Sequence, residues 1–87
     1  MLSGVQIRAA RALLGWDQTK LAQTAGVSPI TVKRLEAAGE DIHAHFATVM
    51  KVKTAFEDAG VLFLDEESGL GYGVRLRRDT GRRRRKT

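Results

Sequence analysis

Residues 18–37 read QTKLAQTAGVSPITVKRLEA, and their spacing predicts two short helices joined by a tight turn. Ala22 is small at the point where two helices cross closely, and Gly26 falls where the connection needs a positive φ. Val27, Val32 and Leu35 supply apolar contacts at the turn and along the inner face of the second helix. Ser28-Pro29 opens that helix with an N-cap residue and then proline at the first helical position, where the missing N–H costs nothing. A helix presented in this way fits the DNA major groove, which admits one α-helix and displays a distinct donor and acceptor pattern for each base pair.

The flanking segments extend this pair into a bundle. Ile7, Ala10 and Leu14 follow an i, i+3, i+7 pattern, predicting a helix over about residues 3–14 that Gly15 ends. Trp16 follows as a core anchor, and Asp17 is a good N-cap for the next helix, about residues 18–24, with Lys20 standing where a capping box would place glutamate. The helix from Pro29 runs to about Ala38 and is closed by Gly39, and residues 40–45 read as a loop. Phe46, Val49, Val52, Phe56 and Ala59 then mark one apolar face of a fourth helix, terminated by Gly60.

After Gly60 the period changes. Val61 to Leu64 is a short apolar run, residues 65–71 are turn-like, and YGVRLRR at 72–78 alternates. Tyr72, Val74 and Leu76 share one side of that segment while Arg75 and Arg77 share the other, which predicts a two-stranded hairpin. A lone hairpin is only marginally stable, so this one must pack on the helices, pair with a second copy, or both. The final GRRRRKT has nothing apolar to bury and is expected to be disordered when free. The chain therefore divides into a helical unit at 1–60, a hairpin at 61–78 and a basic tail at 79–87, a mainly α fold with a C-terminal β-hairpin.

With 87 residues the chain can build one small core. It has no cysteine, which excludes disulfides, thiolate zinc sites and a cysteine nucleophile. No apolar run approaches the ~18 residues of a membrane span, and the opening MLSGVQIRAARALLG lacks a signal peptide's order, so a cytoplasmic location is expected. The net charge of +5 comes from Arg82 to Lys86, since without them ten basic residues balance ten acidic ones. Within that balanced body Lys20, Lys33 and Arg34 fall in the helix pair, while Glu57, Asp58, Asp65, Glu66 and Glu67 come later, a polarity suited to facing DNA with one surface. His43 and His45 have no third ligand nearby and fit loop or helix-capping roles better than a metal site. Asp65-Glu66-Glu67 fits a solvated turn, and neither a catalytic constellation nor a cofactor motif is present, so no enzyme activity is expected.

The run RALLGWDQTKLAQTAGVSPITVKRLEA at 11–37, with its flanking helices, resembles the Xre/Cro family of helix-turn-helix transcriptional regulators, the group that includes the phage lambda repressor. The resemblance covers about residues 6–60, and the segment from Val61 to Arg78 is similar to a short bacterial subgroup of these regulators. It implies a lambda repressor-like helical bundle in a bacterial or phage protein that binds operators on the nucleoid, usually as a homodimer. Carried over by position, Gln18 caps its helix against a DNA phosphate, and Pro29, Ile30, Thr31, Lys33 and Arg34 face the groove, with Lys20 and Ser28 in the same DNA-binding set. Arg11 and Glu36 match a partly buried salt bridge that clamps the first helix to the recognition helix. Two departures stand out: Pro29 and Ile30 are apolar where many relatives carry polar base readers, and EDIHAH replaces a short basic loop.

Each of these residues has a functional and an ordinary reading. An arginine on a recognition helix can bind guanine N7 and O6 together, worth ~1–3 kcal/mol of discrimination; Arg34 and Lys33 are the candidates, and phosphate contact alone is the alternative. Ile30 and Thr31 either meet thymine methyl groups or, for Ile30, tuck against the protein, while Thr31 also lies in a first turn that favours a phosphate. Glu36 beside Leu35 fits an inward structural role better than cytosine reading. Arg82, Arg83, Arg84 and Arg85 with Lys86 track phosphates, enter a minor groove, bind RNA or simply solubilise; neutralising five phosphates adds a log–log salt slope of roughly −4 to −5. Val61, Phe63, Tyr72, Val74 and Leu76 form the candidate dimer surface. The expected function is a sequence-specific regulator, a repressor that binds a palindromic operator in double-stranded DNA as a homodimer. The alternative is an antitoxin that autoregulates its operon and neutralises a partner protein.

Overall fold

The computed structural model describes residues 2–39 and 45–78. Four helices, α1 (Gly4–Leu14), α2 (Gln18–Ala25), α3 (Pro29–Ala37) and α4 (Phe46–Asp58), precede an antiparallel pair, β1 (Val61–Leu64) and β2 (Gly73–Leu76). This is a mainly helical arrangement closed by a C-terminal two-stranded hairpin. The sequence boundaries hold to within a residue or two, because each is written in local chemistry. Ser3 caps α1 in a full capping box with Gln6, Asp17 Oδ1 accepts from the Lys20 N–H at 2.7 Å, and Ser28 Oγ accepts from the Thr31 N–H at 3.1 Å. Gly15 and Gly26 close α1 and α2 with φ of 70° and 74°, values that would strain a residue bearing a Cβ.

Ile7 and Ala10 from α1, Leu21 and Ala22 from α2, Val32 and Leu35 from α3, and Val52, Ala55 and Phe56 from α4 meet in one core. Trp16 stacks on Phe56 at 5.6 Å between ring centroids, and Phe63 meets the same ring edge-on at 5.8 Å. The connection between α1 and α2 and the hairpin thus share one aromatic neighbour. Phe46 departs from the apolar face expected of α4. As the first residue of that helix it lies beyond the reach of the core and is 77% exposed.

The hairpin pairs Val61 with Leu76 and Leu64 with Gly73, and Ser68 and Gly69, with φ of 47° and 82°, form a two-residue turn of the type I′ pattern. Its apolar face, the candidate dimer surface, packs on the chain's own helices: Val61 is fully buried in the core, and Phe63, Val74 and Leu76 are partly buried against it. The physical reason is the short connection at Gly60, which folds β1 directly back along α4, while α1 covers β2. Tyr72 is only half-buried. The Arg77 N–H donates to Gly60 O at 2.8 Å, so in this register the N–H and C=O groups of Val61, Phe63, Val74 and Leu76 point away from the partner strand, and those of Val61 are covered because that residue is fully buried.

Candidate nucleic-acid interface

The outer face of α3 is built by the helical period. Ile30, Lys33, Arg34 and Ala37 follow one another at i, i+3, i+4 and i+7 and are all exposed, while Val32, Leu35 and Glu36 on the opposite side are buried. Ile30 is 59% exposed, so it does not tuck against the protein. Neither Lys33 nor Arg34 is held by an ion pair among the described residues, leaving both cations available to an outside acceptor. Pro29 and Ser28 are exposed at the start of the helix, and Thr31 is half-buried with its hydroxyl 2.9 Å from Ser28 Oγ. That pair serves the cap first.

The helix is held in place from behind by a network centred on Glu36. Its carboxylate accepts from Arg11 Nε at 2.7 Å, Arg11 Nη2 at 3.0 Å and Gln18 Nε2 at 2.9 Å. Arg11 also donates to the Trp16 carbonyl at 3.1 Å, so one guanidinium joins α1, α3 and the entry to α2. The hydrogen bond to Glu36 raises the Arg11 pKa above its ordinary value, opposed by partial burial. Gln18, expected to face a DNA phosphate, has its side-chain amide turned to Glu36; its backbone N–H and that of Thr19 remain open at the start of α2. Lys20 is exposed, with Nζ 5.9 Å from the centre of the Trp16 ring.

Three residues of α1 complete the support, and composition alone did not single them out. Gly4 packs so closely on the end of α3 that a Cβ there would lie 2.5 Å from Leu35 O and 2.6 Å from Glu36 O. Its N–H donates to Gly39 O just past the end of α3, and Arg8 Nη1 donates to Glu36 O, so α1 satisfies one of the last carbonyls of α3 and one in the segment that follows it. Gln6, buried beside them, donates from Nε2 to Leu64 O at 3.2 Å and Gly73 O at 2.9 Å, tying both strands to α1. The Ser3-x-x-Gln6 spacing carried a readable capping-box signal; nothing local marked the long-range bonds.

Arg82 to Arg85 and His43 lie outside the described residues. Asp65, Glu66 and Glu67 are exposed at the hairpin turn, and no group of three potential metal ligands comes together among the described residues. No helix there is long and apolar enough to cross a membrane.

The helix-turn-helix family model HTH_3 matches residues 7–51, which takes in most of α1, all of α2 and α3, the first turns of α4, and more than half of the chain. No individual curated protein matches the chain significantly. An exposed basic face on α3, clamped from behind and preceded by a short capped helix, is what a DNA-binding regulator of this kind requires. The chain belongs to the Cro/C1-type, Xre-like helix-turn-helix family of DNA-binding transcription regulators.

Proposed function

We infer that the chain is a sequence-specific repressor that binds a palindromic operator as a homodimer, with α3 in the major groove. The observation that carries this is the sidedness of α3: Ile30, Lys33, Arg34 and Ala37 are offered to solvent while the clamped side holds Glu36 at 3% exposure. Arg34 and Lys33 read guanine edges or neighbouring phosphates, and the open N–H groups of Gln18 and Thr19 meet a phosphate across the groove. Two copies related by a two-fold axis place two such helices about one helical turn, ~34 Å, apart. The dimer forms through the turn end of the hairpin, where Leu64 and Leu70 are exposed, rather than through the buried face of Val61. The tail at 82–86 adds affinity without adding sequence preference. Such a protein works in the cytoplasm on the nucleoid, and repression follows when the occupied operator overlaps a polymerase site.

The test is a pair of measurements. Sedimentation equilibrium at tens of micromolar gives a dimer, and Leu64→Glu with Leu70→Glu shifts it toward monomer. A reporter fused to an occupied site rises in expression when the chain is removed. A monomer that binds single half-sites, or a reporter that falls, contradicts the corresponding part. A stoichiometric second protein that co-purifies and releases the DNA favours the antitoxin reading.

A further inference from the structure

Ile30 is the only large apolar side chain on the outer face of α3, flanked one turn on by Lys33 and Arg34. The fold has no use for it there. The helix is started by Ser28 and Pro29, its inner side is filled by Val32 and Leu35, and Ile30 stands outside the core cluster. A β-branched residue is also a slightly poor helix former, so local propensity does not explain it. The basic neighbours bring this face against nucleic acid, and the major-groove edges of the four bases offer one apolar feature, the 5-methyl group of thymine. Cytosine carries the same feature only when methylated at carbon 5.

We propose that Ile30 reads a pyrimidine 5-methyl group, taking thymine or 5-methylcytosine and rejecting uracil and unmodified cytosine. This rests on the assignment of α3 as the reading helix. The position is also set: Ile30 and Arg34 are separated by four residues, about 6 Å along the helix axis, so the methyl-bearing base lies one to two base pairs from the base that Arg34 meets. Binding then depends on the methylation state of the operator wherever a cytosine occupies that place.

The experiment starts from the sequence that the full chain enriches from a randomised duplex pool. Each thymine is replaced in turn by deoxyuridine, which removes the methyl group and preserves every hydrogen-bonding atom, and affinity is measured by fluorescence anisotropy. One thymine per half-site is expected to show about three- to fivefold weaker binding, the effect of one apolar carbon losing its cover. Placing 5-methylcytosine there binds more tightly than cytosine by a similar factor. Ile30→Ala, a surface change that leaves the core intact, abolishes the thymine–uracil difference at that position, and Ile30→Val keeps most of it. Uracil tolerated at every position of an operator that is still bound specifically overturns the proposal and leaves the reading helix standing. A thymine–uracil difference that survives in Ile30→Ala overturns it too, because another residue then meets the methyl group. Failure to enrich any sequence overturns both this role and the assignment beneath it.

Discussion

Replacing Glu36 by alanine removes the acceptor of three hydrogen bonds, two from Arg11 and one from Gln18, and leaves the guanidinium with the Trp16 carbonyl alone. Breaking a fully buried pair by deleting one partner costs about 3–5 kcal/mol, most of it the stranded charge. The Arg11 side chain is 21% exposed, so water reaches part of the cation and the expected loss falls to about 2–4 kcal/mol. For a domain of this size that lowers the melting temperature by roughly 10–30 °C. The assay is denaturant unfolding followed by fluorescence of Trp16, the only tryptophan, which stacks on Phe56 at the centre of the core. Arg11→Met is expected to cost more, because it leaves a carboxylate at 3% exposure with Gln18 as its remaining partner. The double variant Arg11→Met with Glu36→Leu recovers most of either loss, since two apolar side chains of similar volume strand no charge. A loss below about 0.5 kcal/mol for Glu36→Ala, the range of ordinary surface changes, refutes the clamp. So does a double variant as unstable as the sum of the two single ones.

Other outcomes follow from the same geometry. Gly4→Ala drives a methyl group into the Leu35 and Glu36 carbonyls and is expected to destabilise the chain by about 1–3 kcal/mol in thermal unfolding; an unchanged melting temperature would show that α1 and α3 can separate freely. Arg34→Ala relaxes preference at one base position, with a loss of about 1–3 kcal/mol against the preferred base in competition binding. Deleting 82–86 weakens binding to every duplex alike and flattens the log–log salt slope by about 4–5. If the deletion changes sequence preference while Arg34→Ala does not, the roles of tail and helix are exchanged.

The helices were legible because their signals are local: Asp17 and Ser28 as caps, Gly15 and Gly26 as stops, and the period of Ile7, Ala10 and Leu14 each act within one or two turns. The pairing of Arg11 with Glu36 became an expectation only through family resemblance, since two charged residues 25 positions apart carry no local mark of contact. The hairpin shows the limit more sharply. Alternation in YGVRLRR told which side chains share a face but not what covers that face, and an apolar face suits a second copy as well as it suits α1 and α4. Phe46 fails for a related reason: helical period assigns a direction around the axis, whereas burial also depends on how far along that axis the core extends. Gln18 was placed on a phosphate by position, but its amide has a carboxylate within reach in the free chain.

The most direct test of α3 as a sequence reader is selection from a randomised duplex pool with the full chain at near-physiological salt. The expected result is an inverted repeat with half-sites about 10 bp apart centre to centre, lost when Lys33 and Arg34 are both replaced by alanine. Binding that enriches no sequence and fades with salt as phosphate contact alone requires would contradict the account, and would move the affinity of this chain from its third helix to its basic tail.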